Sequence, residues 1–323
     1  MRSVNLSEDV LATELANRPG LIPTGIDVSR QRVLWIDWGS YHFYEGFFHD
    51  SQSVYERLRG SPPECFTSSL ESLESSEILN PEISSTCIEP SGFIFHTGRC
   101  GSTLLAKALA RSRRHLVFAE AEPHNRIWHA LPADPDRAIR VYRNLLLLMG
   151  RRRLPSLAAH LIKFTSFNIT RFHFIRSAFP RVPALFLFRD PAAVIASCLR
   201  KPPLWLGRDL GIGRIWASPE AAIKDYFNAA LTIHEPRFQC LDYRDLVERG
   251  LPPILRLFQL DPPKDELRMM ESELAWDAKS VLPRLFVPAS RVPDYPGDED
   301  LGHLYYRLKK HAPLPLETCF RCE

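Results

Sequence analysis

The stretch Phe93-Ile94-Phe95-His96-Thr97-Gly98-Arg99-Cys100-Gly101-Ser102-Thr103-Leu104-Leu105-Ala106-Lys107-Ala108-Leu109 decides the fold. Its first residues form a short apolar run that predicts a buried strand, and the residues from Ser102 onward predict a helix. Gly98 and Gly101, between them, let the backbone turn sharply and aim successive N–H groups inward. The helix start adds unpaired N–H groups and positive partial charge, while Ser102 and Thr103 add hydroxyl donors. Arg99 contributes a full cation. Together these features predict a cradle for a phosphate or sulfate. The cradle differs from a nucleoside-triphosphate loop, because Ser102 stands where Gly-Lys-[Ser/Thr] requires lysine and Lys107 already lies inside the helix.

Short apolar strands alternate with helices from Ser91 onward. The expected strands are Phe93 to Thr97, Val117 to Ala119, Leu161 to Thr165, Ala184 to Phe188 and Phe238 to Leu241. The expected helices are Ser102 to Ser112, Arg137 to Gly150, Ala192 to Arg200 and Ala221 to His234. Continuous apolar strands separated by helices imply an α/β fold, a parallel β-sheet flanked by helices on both faces. Ligands of such sheets bind at the carboxyl ends of the strands.

Residues 1–90 read as a small N-terminal β-containing extension and residues 91–323 as the α/β domain. Within the extension, Arg32 to Trp38 and the aromatic run Tyr41 to Phe48 are both expected as strand. Trp35, Trp38, Phe43, Phe47 and Phe48 read as core rather than as a substrate platform. Thr67 to Thr86 reads as a Ser/Glu-rich connector, with any helix through Leu70, Leu73 and Leu79 ending at Pro81.

A second strand end carries Arg189. Ala184 to Phe188 leads into Arg189-Asp190-Pro191, where Asp190 and Pro191 suit the cap and first position of a helix. Val194, Ile195, Cys198 and Leu199 make the apolar face of that helix, and Ser197 falls off it. Arg189 and Ser197 are candidates to hold a second phosphate. Arg151-Arg152-Arg153, by contrast, reads as a solvated loop.

The two segments together resemble the sulfotransferase superfamily that uses 3′-phosphoadenosine-5′-phosphosulfate (PAPS), in its bacterial type. Arg99-Cys100-Gly101-Ser102-Thr103 is similar to the [Lys/Arg]-Ser-Gly-[Thr/Ser]-Thr turn that grips the 5′-phosphosulfate, with Cys100 replacing serine. Arg189 and Ser197 match the arginine and serine that hold the 3′-phosphate. Leu241-Asp242-Tyr243-Arg244-Asp245-Leu246 looks like the family's late strand-to-helix segment, and Glu122-Pro123 like a turn of some bacterial members. The resemblance covers about Ser91 to Leu260. Lys163-Phe164-Thr165 lacks the histidine base of the cytosolic small-molecule branch, so the match is closer to the bacterial, protein-tyrosine and carbohydrate branches. It implies sulfuryl transfer from PAPS to a hydroxyl or amine, leaving 3′,5′-adenosine bisphosphate. Arg99, Cys100, Gly101, Ser102, Thr103, Arg189 and Ser197 would bind the nucleotide. Arg99 would act at the leaving phosphate and Lys163 at the sulfuryl group, while Glu122 would take the acceptor proton, with Glu120 and His124 as its rivals for that role.

Whole-chain properties bound this reading. The 323 residues are 45% apolar and 24% charged, with net charge +3 from 41 basic and 38 acidic side chains. That balance gives no reason to expect a nucleic acid or a membrane as partner. The expected acceptor is a small molecule, carbohydrate or peptide, and oligomerisation remains open. Seven scattered cysteines and a polar N-terminal segment fit the cytoplasm better than a disulfide framework or a secretory signal. Cys319 and Cys322, the lone CxxC pair, read as part of a tail, and no metal site is expected. Two rival functions remain: an ATP-dependent phosphotransferase using the same cradle, and a non-catalytic nucleotide-binding module.

Overall fold

A computed structural model describes residues 3–275 and 299–314; Cys319 and Cys322 lie outside the described residues. Among the described residues the strands are β1 (Ser3–Asn5), β2 (Leu21–Asp27), β3 (Arg32–Asp37), β4 (Cys65–Ser69), β5 (Pro90–His96), β6 (His115–Ala119), β7 (Ala159–Lys163), β8 (Ala184–Phe188) and β9 (Phe238–Asp242). The last five form one parallel sheet in the order β6-β7-β5-β8-β9, so the expected α/β fold with helix-covered strands is present. β6, β7 and β8 are buried along their whole length, as strands covered on both faces must be.

Start signals fix the flanking helices. Asp134, Asp190 and Ser218 each accept a hydrogen bond from a backbone N–H three residues on, with proline in the first turn. These caps open the helices Pro135–Met149, Pro191–Arg200 and Pro219–Leu231. The helix Ser102–Ala110 instead follows the turn directly from β5, with Gly101 left-handed at its cap position.

The N-terminal sheet runs β1-β4-β3-β2. Two expectations fail here. Tyr41 to Phe48 is not a strand: the chain loops into the helix Phe48–Arg59, because Trp38, Phe43 and Phe48 all turn into one core cluster instead of alternating. Local hydrogen bonds hold the loop, with the Glu45 carboxylate accepting from Tyr41 Oη at 2.9 Å and Ser51 Oγ at 2.6 Å. The supposed connector is also structured, containing most of β4, a 3-10 turn at Glu71–Glu74 and the helix Pro81–Thr86. Pro81 opens that helix rather than ending one, since Asn80 Oδ1 accepts from Ile83 N at 3.0 Å and proline suits the first turn.

Arg151 and Arg153 are not solvated either. Arg151 is fully buried and donates to the carbonyl oxygens of Arg18 (2.9 Å), Leu21 (3.0 Å) and Leu15. Leu15 and Arg18 end the helix Glu8–Asn17, where unpaired carbonyls and negative partial charge favour a cation. Arg153 donates from Nε to Tyr41 O at 2.8 Å and lies 4.3 Å from the centre of the Phe43 ring. These two side chains staple the extension to the α/β body, and one hydrophobic core runs through both. Among the described residues no helix is long and apolar enough to cross a membrane.

Arg151→Met should destabilise the protein by about 3 kcal/mol, because the buried carbonyls of Leu15 and Leu21 lose the Arg151 donors. Urea unfolding of the two proteins side by side measures this, and Arg152→Met, at an exposed position, should change little.

Candidate active site

The carboxyl edge of the parallel sheet presents, in spatial order, Glu120 after β6, Lys163 ending β7, the turn Thr97–Gly101 after β5, Arg189 after β8 and Tyr243 after β9. Strands far apart in sequence thus deliver their end residues to one line. The central turn and the Arg189 turn are direct neighbours, because β5 pairs with β8 and Thr97 N donates to Leu187 O at 3.2 Å.

The central turn holds an unusual backbone. Gly98, Arg99 and Gly101 have φ of +77°, +52° and +84°. Glycine adopts this region freely, whereas Arg99 is strained there, as residues at working sites often are. Gly98 N donates to His96 Nδ1 at 2.8 Å. The bend feeds into the N-terminus of Ser102–Ala110, whose first N–H groups have no partner within the helix. Arg99 reaches outward and donates to Lys201 O. The thiol of Cys100 points the other way, fully buried and 3.2 Å from Leu187 O. What Cys100 offers the turn is therefore backbone.

Arg189 Nη1 lies 3.4 Å from Arg99 O, which ties the two turns together. Its guanidinium sits 4.6 Å over the ring of Tyr243, a favourable stacking arrangement. The same ring presses on the cradle: a Cβ on Gly101 would come within 2.7 Å of it. Tyr243 is thus a site residue that the sequence reading noticed only as part of a strand-to-helix segment. Ser197 stays half-exposed on the helix Pro191–Arg200.

On the other side of the cradle lies a buried ionic cluster. Lys163 has no exposed side-chain surface and its Nζ is paired with Glu120 Oε1. His96 Nε2 lies 3.6 Å from the same oxygen. Burial alone would raise the Glu120 carboxyl, but Lys163 and His96 outweigh it and hold the group at about 2. The ring of Phe47, from the N-terminal extension, covers the ammonium at 4.9 Å. Phe47 is only partly buried, so it is less a core residue than its aromatic neighbours.

The remaining acid–base candidates separate clearly. Glu122 Oε2 accepts from Ile26 N on β2 at 3.1 Å, and Oε1 lies 3.3 Å from Arg126. Surrounding protein pushes its carboxyl up to about 7, with the Ile26 N–H and Arg126 pulling it back. Water reaches 45% of its side chain, which screens part of that rise. His124 is fully buried with neither ring nitrogen hydrogen-bonded, and burial lowers it to about 3. Among the described residues no group of three or more His, Cys, Asp or Glu side chains is placed to hold a metal.

Solved structures to which the chain is similar are bacterial sulfotransferases. One from Mycobacterium avium matches with a TM-score of 0.45 and 13% identity, covering 96% of this chain and 98% of that one. One from Mycobacterium tuberculosis matches with a TM-score of 0.40 and 13% identity, covering 96% and 100%. One from Alicyclobacillus acidocaldarius gives 0.35 and 13%, covering 69% and 95%. At these scores the likenesses carry no weight for individual residues. No family model and no curated relative matches the chain.

Glu120→Gln should cost about 3–5 kcal/mol, because it strands a buried ammonium, and adding Lys163→Met should recover most of the loss. Urea titration checks both. The sign with pH follows from the lowered carboxyl. Its contribution is complete above the ordinary value of 4.5 and disappears as pH falls through about 2, a loss that Glu120→Gln should not show.

Proposed function

We propose that this protein is a PAPS-dependent sulfotransferase that moves a sulfuryl group to a hydroxyl or amine of a small-molecule, carbohydrate or peptide acceptor. The observation that supports this is that the glycine-rich turn after β5 and the Arg189 turn after β8 stand on adjacent strands, where they would form two anion grips. The cradle follows β5, and Arg189 with Ser197 follows β8, with Arg189 touching the cradle backbone. A nucleotide with separate 5′- and 3′-phosphates needs two such grips. A nucleoside triphosphate needs one continuous cradle with its lysine, which Ser102 replaces.

In this reading the amides from Cys100 to Thr103 and the Ser102 and Thr103 hydroxyls bind the 5′ end. The Tyr243 ring keeps Arg189 aimed at the 3′-phosphate beside Ser197. The bound nucleotide supplies an activated sulfuryl group with a phosphate as its leaving group. Arg99 neutralises charge that grows on that phosphate, while Lys163, buried against Glu120 and Phe47, positions the neighbouring strand end rather than touching the transferring oxygens.

Glu122 takes the acceptor proton. It is open to solvent on one side, is fixed by the Ile26 N–H, and has a raised carboxyl suited to proton transfer near neutral pH. Glu120 is committed to Lys163, and a carboxyl held near 2 is a weak base. Scattered cysteines support a reducing, cytoplasmic setting.

Calorimetry with 3′,5′-adenosine bisphosphate tests the reading, with ATP·Mg as control. Micromolar binding that Arg189→Ala weakens at least about tenfold is expected, since one charge-assisted contact is lost. Binding of ATP·Mg but not the bisphosphate would instead mark a phosphotransferase, and silence with both a module without the cofactor.

The base is tested separately on whichever phenolic, carbohydrate or peptide hydroxyl is turned over. Glu122→Gln should lower kcat by roughly 10²–10⁴-fold with bisphosphate affinity unchanged. In the wild type kcat should rise with pH as Glu122 loses its proton, with the midpoint above 4.5 and no higher than about 7.

A further inference from the structure

Beyond the proposed chemistry, the segment that follows the Ser197 helix has a feature the site does not use. Gly207 N donates to Trp216 O at 2.9 Å, which brings two stretches of this loop side by side. Trp205 and Trp216 face each other at 5.9 Å and both pack on Tyr226, at 5.9 and 5.3 Å. Trp216 is also pinned by its Nε1 donating to Asp225 Oδ2 at 2.8 Å. With both tryptophans turned inward, their chain neighbours Leu204 and Ile215 turn outward, 81% and 63% exposed. Leu199, which its spacing assigns to a buried helix face, is 62% exposed just before them.

Single exposed aliphatic side chains are ordinary; two on one loop, with a third at the end of the helix that leads into it, are not. The basic residues around them complete the pattern. Arg200, Lys201 and Arg208 are exposed and take part in no ion pair among the described residues, whereas Arg214 is paired with Asp225 at 2.6 Å. Asp209, the one acidic residue between Leu199 and Trp216, spends its Oδ1 on Gly211 N. The loop therefore offers aliphatic side chains with unpaired cations beside them.

We infer that residues 199–216 dock the protein on an anionic lipid surface, with Leu204 and Ile215 entering the interface and Arg200, Lys201 and Arg208 meeting headgroup phosphates. A protein partner of ordinary stability requires about 800 Å² of complementary surface on each side. A few aliphatic side chains beside cations are instead the composition that inserts at a bilayer interface. The net charge of +3 hides this cluster, because it averages over the whole chain. The loop adjoins the site: Lys201 O receives the Arg99 side chain, and Gly211 packs on His129, just past the Glu122 helix.

The test is co-sedimentation of the full chain with phosphatidylglycerol–phosphatidylcholine vesicles and with phosphatidylcholine vesicles alone. Wild-type protein should sediment with the anionic vesicles only. Leu204→Ser/Ile215→Ser should weaken that binding about tenfold or more, and Arg200→Gln/Arg208→Gln should weaken it and reduce its salt sensitivity. The Leu204→Ser/Ile215→Ser protein should unfold in urea like the wild type, which separates loss of docking from loss of fold. No sedimentation of the wild type, equal sedimentation with uncharged vesicles, or full binding by the serine variant would each overturn the inference. None of these readouts depends on PAPS, so the docking proposal and the sulfotransferase proposal stand or fall separately.

Discussion

A lysine ammonium with no exposed surface must be satisfied by what surrounds it, and the surroundings of Lys163 organise this molecule. Its carboxylate comes from Glu120, held in a left-handed backbone with φ +53° just beyond β6. That backbone is fixed in turn by Glu120 N donating to Lys163 O at 2.8 Å, so main chain and side chain close on each other. His96, one residue before the cradle turn, shares the same carboxylate from β5. Phe47 brings the N-terminal extension over the ammonium. One charge therefore fixes three strand ends and recruits a distant part of the chain to the same place.

The close approach of the extension has a second fastening. A Cβ on Gly46 would come within 2.5 Å of Thr103 Cγ2, so the loop before Phe47 rests directly on the cradle helix. Arg151 and Arg153 hold the same extension from behind, through backbone carbonyls and the Phe43 ring. The extension is thus a wall of the site as well as an addition to the fold.

Local patterns in the sequence were enough for the parallel sheet, because each strand is a continuous apolar run between helix caps. The sharp turn after β5 was equally legible, since Gly98, Gly101 and the helix start lie within a few residues. What sequence could not show depends on distant partners. Nothing near Arg151 announces that its guanidinium meets carbonyls from Leu15 to Leu21, more than a hundred positions away. Phe47 over Lys163 and Tyr243 under Arg189 are likewise contacts between elements remote in sequence. The errors at Pro81 and at Tyr41 to Phe48 have another origin. Proline serves both ends of helices, and an aromatic run buries as well in a folded loop as in a strand.

Glu120 and Glu122 show how two similar side chains, two positions apart, come to opposite chemistry. Both lie where burial disfavours a negative charge. Glu120 faces the sheet edge, where a buried ammonium and an imidazole outweigh that cost and keep it ionised. Glu122 begins the next helix and turns towards β2, where a single backbone N–H and a half-exposed arginine only partly offset it. Electrostatics thus gives the first a fixed charge and the second a proton affinity raised above the ordinary carboxylate range. The bulge between Pro23 and Gly25 in β2 lies next to the Ile26 N–H that Glu122 uses. At Gly25 a Cβ would crowd both Leu34 and the Glu122 carboxylate, at 2.9 and 3.2 Å. The N-terminal sheet therefore sets the environment of the proposed base.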